Sequence, residues 1–379
     1  MRRTAQIIVI AGFLGAVYGV PVTQAILDLL DDELPQCLEL FDAAPTEEHL
    51  REFENDLEEN SWFEETIRPI YMEARYRLTG DLGEKSLAGR DGWAFYHPGV
   101  KYLYQPYFRE IDGATSEGDP VETIVDLRDQ LKQKDIALLM VIVPGKATVY
   151  PDLLSPDARR VAANTRRFIG ELQQHGVEVL ALHDLFLPHR AEADRRKQSL
   201  YMATDTHWSG EGVILAAARI ASRVREESWY VAPGAPRYER KAVTLERDGD
   251  VLRMTQIPYE FARESVVAHQ VSELESGELY GDDDKAPLLW LGDSFSRIFQ
   301  TDAPRSAGVI ANLAYELQTP LASIVNDGGA STLVRQQLAR RVDLLEDKKL
   351  VIWEFIERDA RFGMRGWQKI RLWDDDGEF

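Results

Sequence analysis

Cysteine is nearly missing from this chain, because Cys37 is the only one among its 379 residues. A single cysteine excludes an intramolecular disulfide and a cysteine-rich zinc site. This composition fits a cytosolic protein and also an exported protein that folds without disulfides, so it does not choose the compartment. The sequence shows no internal repeat and no low-complexity tract. Its 44% hydrophobic and 28% charged residues exclude wholesale disorder.

Basic residues are also scarce relative to acidic ones. The chain has 44 Lys and Arg residues against 64 Asp and Glu residues, which gives a formal net charge of −20. Binding to phosphate backbones requires a basic surface. We therefore expect no nucleic acid among the partners of this protein.

Charge is absent altogether from the segment Thr4–Leu27, which follows Arg2 and Arg3 directly. As a helix, this segment would span about 36 Å, enough to cross the hydrocarbon core of a bilayer. Basic residues on the short N-terminal flank predict that this end stays in the cytoplasm. The rest of the chain would then lie outside the cytoplasm.

Residues 1–27 are therefore predicted to be a signal anchor or a signal peptide. No clean small-x-small cleavage site follows the apolar stretch, which favours an anchor that is not cleaved. A buried helix of a soluble protein is the third interpretation. It is disfavoured because the segment is terminal, continuous and flanked by paired arginines.

Residues 28–84 are predicted to form an acidic helical extension. Between Asp28 and Glu65 the chain carries 15 acidic residues and one basic residue, Arg51. Thr46 is a plausible N-cap with two glutamates in the following turn, which is typical of a surface helix. An apolar stripe at helical spacing follows, formed by Trp62, Phe63, Ile67, Ile70 and Tyr71.

Residues 85–379 have the pattern of an α/β domain. An aromatic strand is expected after the turn at 89–93, and continuous apolar runs of strand length occur at 136–143, 177–182, 287–291 and 350–355. Helix-like segments near 120–134, 157–175, 210–225 and 331–345 separate them, which indicates a parallel sheet covered by helices on both faces. The polar segment 227–286 is predicted to be an insertion, with a hairpin around Asp248-Gly249.

Two short motifs carry residues able to do chemistry. The first is Thr204-Asp205-Thr206-His207-Trp208-Ser209-Gly210, and the second is Trp290-Leu291-Gly292-Asp293-Ser294-Phe295-Ser296. Ser294 follows a predicted buried strand, where a tight turn can expose its hydroxyl. A serine needs a base, which His207 can supply, and a carboxylate such as Asp205 can orient that histidine.

Each motif also has a purely structural interpretation. A Gly-Asp-Ser tripeptide is usually a turn, with Asp293 as a helix cap, and His207 before Trp208 is often a packed loop residue. A metal site is a rival use of Asp205 and His207. It needs further ligands, and the sequence offers no clear histidine or cysteine for them, so we expect neither a metal nor a cofactor.

Five motifs taken in order resemble the SGNH-hydrolase-like domain of the periplasmic alginate O-acetyltransferases, the AlgX/AlgJ type. The resemblance covers about residues 85–360 and ends near Trp353-Glu354-Phe355-Ile356-Glu357-Arg358. The motifs are Asp91-Gly92-Trp93, Val143-Pro144-Gly145-Lys146 with the following Ala147 to Pro151, Asp205-Thr206-His207-Trp208, Gly292-Asp293-Ser294-Phe295-Ser296 and Asn326-Asp327-Gly328-Gly329.

This resemblance implies a three-layer α/β/α SGNH-hydrolase-like fold, permuted so that the Asp-His motif precedes the serine motif. It implies Ser294 as nucleophile, His207 as base and Asp205 as the orienting acid. It also implies an O-acetyltransferase that acts on alginate or a similar exopolysaccharide in the periplasm, anchored to the inner membrane. The implied partner is a multispanning membrane-bound O-acyltransferase that serves as the acetyl source.

Substrate binding is expected at the catalytic face, because the chain ends soon after Trp373 without room for a further carbohydrate-binding module. Four aromatic residues lie near the motifs: Trp93, Tyr150, Trp208 and Phe295. Core packing is the expected role of each, and Trp208 is the preferred candidate for stacking on sugar rings. A polyuronate would need a local basic lining on this acidic protein. Candidate binding residues and oxyanion donors are Lys146, Arg297, Arg305, Asn326 and Gly328.

Two other functions fit the same sequence. The triad could serve an esterase that removes acetyl groups from a polysaccharide, since only water access separates hydrolysis from transfer. The protein could also be a non-catalytic polysaccharide-binding scaffold of an export complex that retains the motifs for their shape.

Overall fold

The computed structural model describes residues 2–41, 44, 46–59, 61–111, 118–158, 163–255, 257, 263–327, 331–362 and 366–373. The chain divides into two compact units. One comprises residues 1–81 with 256–258, and the other comprises residues 82–255 and 259–379.

Helices of the described residues are, in chain order, α1 (Arg2–Leu30), α2 (Glu47–Glu59), α3 (Arg68–Thr79), α4 (His97–Tyr104), α5 (Pro120–Lys132), α6 (Lys146–Val149), α7 (Pro151–Leu154), α8 (Ala163–Gln174), α9 (His183–Arg195), α10 (Gly210–Val224), α11 (Asp250–Arg253), α12 (Ser294–Arg297), α13 (Val309–Leu317), α14 (Leu333–Arg340) and α15 (Asp359–Phe362). Strands are β1 (Ser86–Ala88), β2 (Ala94–Tyr96), β3 (Ala137–Val143), β4 (Glu178–Ala181), β5 (Tyr238–Asp248), β6 (Arg263–Glu273), β7 (Leu288–Gly292), β8 (Ala322–Val325) and β9 (Leu350–Ile356).

The N-terminal unit begins with the long apolar helix α1. Its 29 residues give a length of about 44 Å at the usual rise per residue. The segment Val9–Leu30 has a mean hydropathy of 1.6, and none of the residues in its most apolar 18-residue stretch is buried. Ile7 and Phe13 are both about two-thirds exposed. By length and composition, this helix can cross a membrane.

The rest of that unit is helical, as the acidic composition predicts. Thr46 caps α2, since its Oγ1 accepts a hydrogen bond from the His49 N–H at 3.2 Å. The predicted apolar stripe lies on helical segments, and part of it is exposed. Ile70 is 62% exposed and Tyr71 is 59% exposed, whereas Met72 on α3 is buried. Helical spacing had identified apolar residues but not which of them find a partner.

A five-stranded parallel sheet organises the second unit, in the order β4-β3-β9-β7-β8. All four neighbouring pairs are parallel. The predicted α/β class and its four predicted strands are confirmed. The fifth strand, β8, has only four residues and was not predicted.

Two hydrophobic cores lie on opposite faces of this sheet. Along β3, Leu139, Val141 and Val143 pack into one core, whereas Leu138, Met140 and Ile142 pack into the other. This follows from the alternation of side chains along a strand. Helices α9, α10 and α13 cover the first core, and helices α5, α8 and α14 cover the second. The three-layer architecture is therefore confirmed.

The predicted hairpin around Asp248-Gly249 is wrong. Strand β5 ends at Asp248, but its antiparallel partner is β6, which begins at Arg263. Gly249 instead leads into α11, with an ordinary φ of −67°. A Cβ at Gly249 would lie 2.2 Å from the Thr204 carbonyl oxygen, so close backbone approach explains this glycine, and a turn does not.

Candidate active site

Ser294 lies at the carboxyl end of β7, where it begins the short helix α12. The Asp293 side chain caps this helix by accepting a hydrogen bond from the Phe295 N–H at 2.7 Å, as predicted. A side chain at Gly292 would place its Cβ 2.0 Å from the Ser296 hydroxyl oxygen. The tight turn therefore requires glycine at this position.

Asp205 and His207 lie on a buried loop between β4 and the insertion. Asp205 Oδ1 accepts hydrogen bonds from the His207 main-chain N–H at 3.0 Å and from ring Nδ1 at 2.6 Å. The loop leads into α10, whose cap is Ser209, so this helix anchors the loop from its other side.

The structure brings these three residues into one hydrogen-bonded row. His207 Nε2 lies 2.9 Å from Ser294 Oγ, although the two residues are 87 positions apart. With Nδ1 hydrogen bonded to Asp205, the unprotonated Nε2 is free to accept the serine proton. The arrangement can therefore support nucleophilic acyl chemistry.

The charges around Asp205 and His207 favour an ionised carboxylate and a basic imidazole. Burial disfavours the charged form of Asp205, but the charge and hydrogen bonds of His207, together with Arg247, lower the pKa of this carboxyl. Burial also disfavours a charged His207, yet Asp205 and Asp250 raise the pKa of the imidazole above its ordinary 6.5. The carboxylate thus stays ionised, and the imidazole is a stronger base than a free one.

Two residues of the insertion, Arg247 and Asp250, complete the surroundings of Asp205. Arg247 Nε lies 3.1 Å from Asp205 Oδ2. Asp250 Oδ2 lies 3.5 Å from His207 Nδ1. Sequence reasoning missed both, because the run around Asp248-Gly249 was interpreted as a turn.

Donor atoms of Asp205, His207 and Asp250 lie within 4.8 Å of one another, close enough to be considered for a metal. Ligand atoms on one zinc ion, each about 2.0–2.2 Å from it, stand more than 3 Å apart in a tetrahedron. The 2.6 Å contact between Asp205 and His207 is instead a hydrogen bond. These distances favour the orienting role of Asp205.

Lys146 lines a small cavity together with Tyr96 and Arg358, and its predicted role in substrate binding stays a prediction. The side chain is buried, and Nζ donates to the carbonyl oxygens of Ala94, Ala203 and Asp205 at 2.6, 2.7 and 2.9 Å. Burial lowers its pKa to about 7, and the nearby carboxylates oppose this shift. Lys146 joins the Asp-His loop to β2, because it donates two hydrogen bonds to carbonyl oxygens of the loop and one to that of Ala94.

Glu264 on β6 holds the same loop from the insertion. Its two carboxylate oxygens accept hydrogen bonds from the Ala203 N–H, the Thr204 N–H and the Thr204 hydroxyl at 2.6–2.9 Å. Lys146 therefore fixes the carbonyl groups of the loop, and Glu264 fixes N–H groups.

Trp208 is fully buried, and its indole N–H donates to the Phe295 carbonyl oxygen at 3.0 Å. The prediction that Trp208 stacks on sugars is therefore wrong, because the ring links the histidine loop to the serine turn within the core. Trp93 is only partly buried and lines a cavity of about 270 Å³, together with Tyr201 and Glu264.

The other candidate binding residues have different surroundings. Arg297 pairs with Asp302, and its Nε lies 2.6 Å from Asp327. Asn326 follows β8, and its N–H donates to the Gly292 carbonyl oxygen at 3.0 Å, which places its backbone beside the serine turn. Arg305 is exposed. Gly328 lies outside the described residues.

A smaller cavity adjoins the Asp-His loop at the carboxyl ends of β3 and β9. Arg358, Thr206 and Tyr96 line it. The guanidinium lies 5.2 Å from the Tyr96 ring centre, and its contact with Asp359 is 3.9 Å long. Thr206 Oγ1 is buried and finds no hydrogen-bond partner among the described residues. The position of Arg358 after a predicted strand was the available signal, since functional residues cluster at strand carboxyl ends.

Comparison with known proteins places these observations in a family. The model of the SGNH hydrolase-like domain of the acetyltransferase AlgX matches residues 87–357. Probable alginate O-acetylase AlgJ of Pseudomonas fluorescens is 23% identical over 298 residues, which cover 75% of this chain and 70% of the relative. Alginate biosynthesis protein AlgX of Pseudomonas aeruginosa is 24% identical over 251 residues, 60% of this chain and 48% of the relative.

Solved structures support the same fold. The O-acetyltransferase domain of Pseudomonas putida AlgJ aligns with a TM-score of 0.55 at 24% identity, covering 73% of this chain and 92% of that domain. The structure of Pseudomonas aeruginosa AlgX aligns with a TM-score of 0.54 at 18% identity, covering 72% of this chain and 61% of that one.

Replacing Lys146 with methionine keeps the length of the side chain but removes its three hydrogen bonds. We expect Lys146→Met to lower the free energy of unfolding by about 2–4 kcal/mol, because buried carbonyl groups lose their partner. Thermal unfolding of the full chain in detergent measures this loss. The exposed Lys197→Met is the matched control, and equal stability of both variants would contradict the loop-fixing role.

Proposed function

Because this chain belongs to the family of SGNH hydrolase-like domains of the AlgX acetyltransferase type, we propose that it is an O-acetyltransferase of an exopolysaccharide. Ser294, His207 and Asp205 are its proposed catalytic triad, and residues 85–379 are its proposed catalytic domain. The observation that carries this proposal is the continuous row from Asp205 Oδ1 through His207 to Ser294 Oγ, with contacts of 2.6 and 2.9 Å.

The reaction proceeds in two acyl transfers. His207 Nε2 takes the proton of Ser294 while Oγ attacks the carbonyl carbon of the acetyl donor. The donor's leaving oxygen takes that proton as its bond to the acetyl carbon breaks, which leaves an acetyl ester on Ser294. A sugar hydroxyl then attacks this ester, and its proton passes through His207 to the released serine.

A negative oxygen develops on the acetyl group in each step and needs donors. As the first residue of α12, Ser294 has a backbone N–H without an acceptor inside that helix. This N–H is one proposed oxyanion donor. The side-chain amide of Asn326 is the second proposed donor. The hydrogen bond from its backbone N–H to the Gly292 carbonyl oxygen holds this residue beside the serine turn.

Transfer must outcompete hydrolysis by water at ~55 M, which is the difference between this function and an acetylesterase. Asp205 is fully buried, and His207 is 5% exposed. Restricted water access around the imidazole supports transfer, since a positioned sugar hydroxyl then meets the acetyl-enzyme first.

The relatives named probable alginate O-acetylase AlgJ suggest alginate, or a similar exopolysaccharide, as acceptor. We propose that Arg358 meets a carboxylate or another acceptor oxygen of this sugar. Its only ion pair among the described residues is the 3.9 Å contact with Asp359, whose pKa is raised to about 7 by burial. Arg358 also acts on the buried carboxyl of Asp293, whose pKa it lowers against burial. A guanidinium that lines a cavity and has only a long ion-pair contact supports a local binding role on a protein with a net charge of −20.

The N-terminal helix supports attachment to the inner membrane, with the catalytic domain in the periplasm. We propose that α1 stays uncleaved, with the end that carries Arg2 and Arg3 in the cytoplasm. This placement would bring the triad near a multispanning membrane-bound O-acyltransferase, the proposed acetyl source.

Ser294→Ala tests the triad directly. We expect the variant to lose acetyl transfer by about 10⁴-fold or more, because the proposed acetyl-enzyme forms on the Ser294 hydroxyl. An assay with an acetyl ester, with and without polysaccharide, measures acetylated polymer and free acetate separately. Ser222→Ala, on the exposed side of α10, is the control. Free acetate alone would indicate an esterase, and unaltered turnover in Ser294→Ala would reject the serine mechanism. A wild-type chain that binds polymer without acetyl turnover would be a scaffold.

Arg358→Met tests the acceptor site. We expect the KM for a polyuronate acceptor to rise ~tenfold or more, because a charge-assisted hydrogen bond is lost. Turnover of a small neutral acetyl ester should change much less, as should that of the control Arg195→Met on exposed α9. An equal loss with charged and neutral acceptors would show that Arg358 does not recognise the carboxylate.

The anchor is tested on the full chain expressed in a Gram-negative host. We expect the protein to stay in the membrane fraction after alkaline carbonate washing, because α1 is long and apolar enough to span a bilayer. Its intact mass should include residues 1–27. Release by osmotic shock, with a mass that lacks these residues, would instead identify a cleaved signal peptide.

A further inference from the structure

Two carboxylates face the same nitrogen of His207. Asp205 Oδ1 lies 2.6 Å from Nδ1, and Asp250 Oδ2 lies 3.5 Å from it. The two acids come from different segments of the chain. Asp205 lies on the histidine loop, and Asp250 begins α11 of the insertion.

Asp250 is held firmly in this position. Its Oδ1 accepts a hydrogen bond from the Thr206 N–H at 2.5 Å, and its own N–H donates to Asp205 Oδ2 at 3.3 Å. Its side chain is 14% exposed. The preceding Gly249 allows the close backbone approach to Thr204 that brings the two loops together.

Arg247 supports the same arrangement from β5. It pairs with Asp205 Oδ2 at 3.1 Å and with Asp302 Oδ2 at 3.4 Å. With one oxygen of Asp205 engaged by Arg247 and the other by His207, the nearby Asp250 carboxylate adds a further negative charge beside the imidazole when it is ionised. Burial and the charge of Asp205 raise the pKa of Asp250, and His207 and the Thr206 N–H oppose that shift.

We propose that Asp250 is a second positioning carboxylate of His207, whose charge at 3.5 Å from Nδ1 adds to that of Asp205 and stabilises the imidazolium that forms during acyl transfer. The stabilisation of the imidazolium by Asp250 during acyl transfer rests on the proposed function. The electrostatic coupling between Asp250 and His207 does not rest on the proposed function, because it follows from the distance between the two side chains.

A purely structural role for Asp250 makes a different prediction. If Asp250 only holds the Thr206 N–H, asparagine can replace it, because its amide oxygen accepts the same bond. If the charge of Asp250 acts on His207, asparagine removes that effect and lowers the pKa of the imidazole. The other charged groups that act on the His207 site are Asp205, Asp293, Arg247, Arg358 and Lys146.

The first experiment measures this coupling without any substrate. The full chain is labelled with ¹⁵N-histidine, the ring signals of His207 are assigned with His207→Gln, and their pH titration is followed by NMR. Asp250→Asn should move the His207 midpoint to lower pH, whereas Asp248→Asn, at the more exposed end of β5, should leave it unchanged. Asp250→Ser provides a second uncharged variant should Asp250→Asn not fold. A midpoint identical to that of the wild type would overturn the proposal.

The second experiment measures kcat/KM for a small acetyl ester. If Asp250 partly replaces Asp205, Asp205→Asn should lose less activity than the ~10⁴-fold seen in a single-carboxylate triad. The double variant Asp205→Asn/Asp250→Asn should fall at least ~tenfold further. Equal rates for the single and double variants would overturn the shared orientation. Full activity of Ser294→Ala would reject the proposed function instead, while the titration would still decide the coupling.

Discussion

The contact between His207 Nε2 and Ser294 Oγ is the interaction on which the proposed chemistry depends. It joins a loop and a strand end that are 87 positions apart, at a distance of 2.9 Å. A hydrogen bond of this length tolerates little displacement on either side. Both partners are therefore fixed by their own surroundings, the serine by the Gly292-Asp293 turn and the histidine by the loop that carries it.

One buried and one partly buried charged residue fix that loop. Lys146 engages its carbonyl groups, and Glu264 engages its N–H groups. A buried charge is costly unless it is hydrogen bonded, and each of these finds several partners in the loop. The same groups could not be exchanged for apolar ones without leaving main-chain atoms unpaired.

The insertion contributes to the proposed catalytic site. Arg247, Asp250 and Glu264 all come from it, and all contact the segment 203–207. Its long antiparallel pair β5–β6 thus serves as a rigid support for residues that orient the base. The parallel sheet positions Ser294, the proposed nucleophile, and the insertion adds Arg247 and Asp250 to the charges around His207.

Sequence by itself determined the α/β class, four sheet strands, the cap of α12 and the residues Asp205, His207 and Ser294, because these depend on local patterns and short motifs. Tertiary structure alone decided which polar groups meet. Lys146 faces carbonyl groups instead of solvent, Trp208 is enclosed in the core, and Asp250 reaches His207 from 43 positions away. Such contacts depend on how side chains from segments far apart in the chain are oriented toward one another. Local sequence periodicity does not predict these orientations.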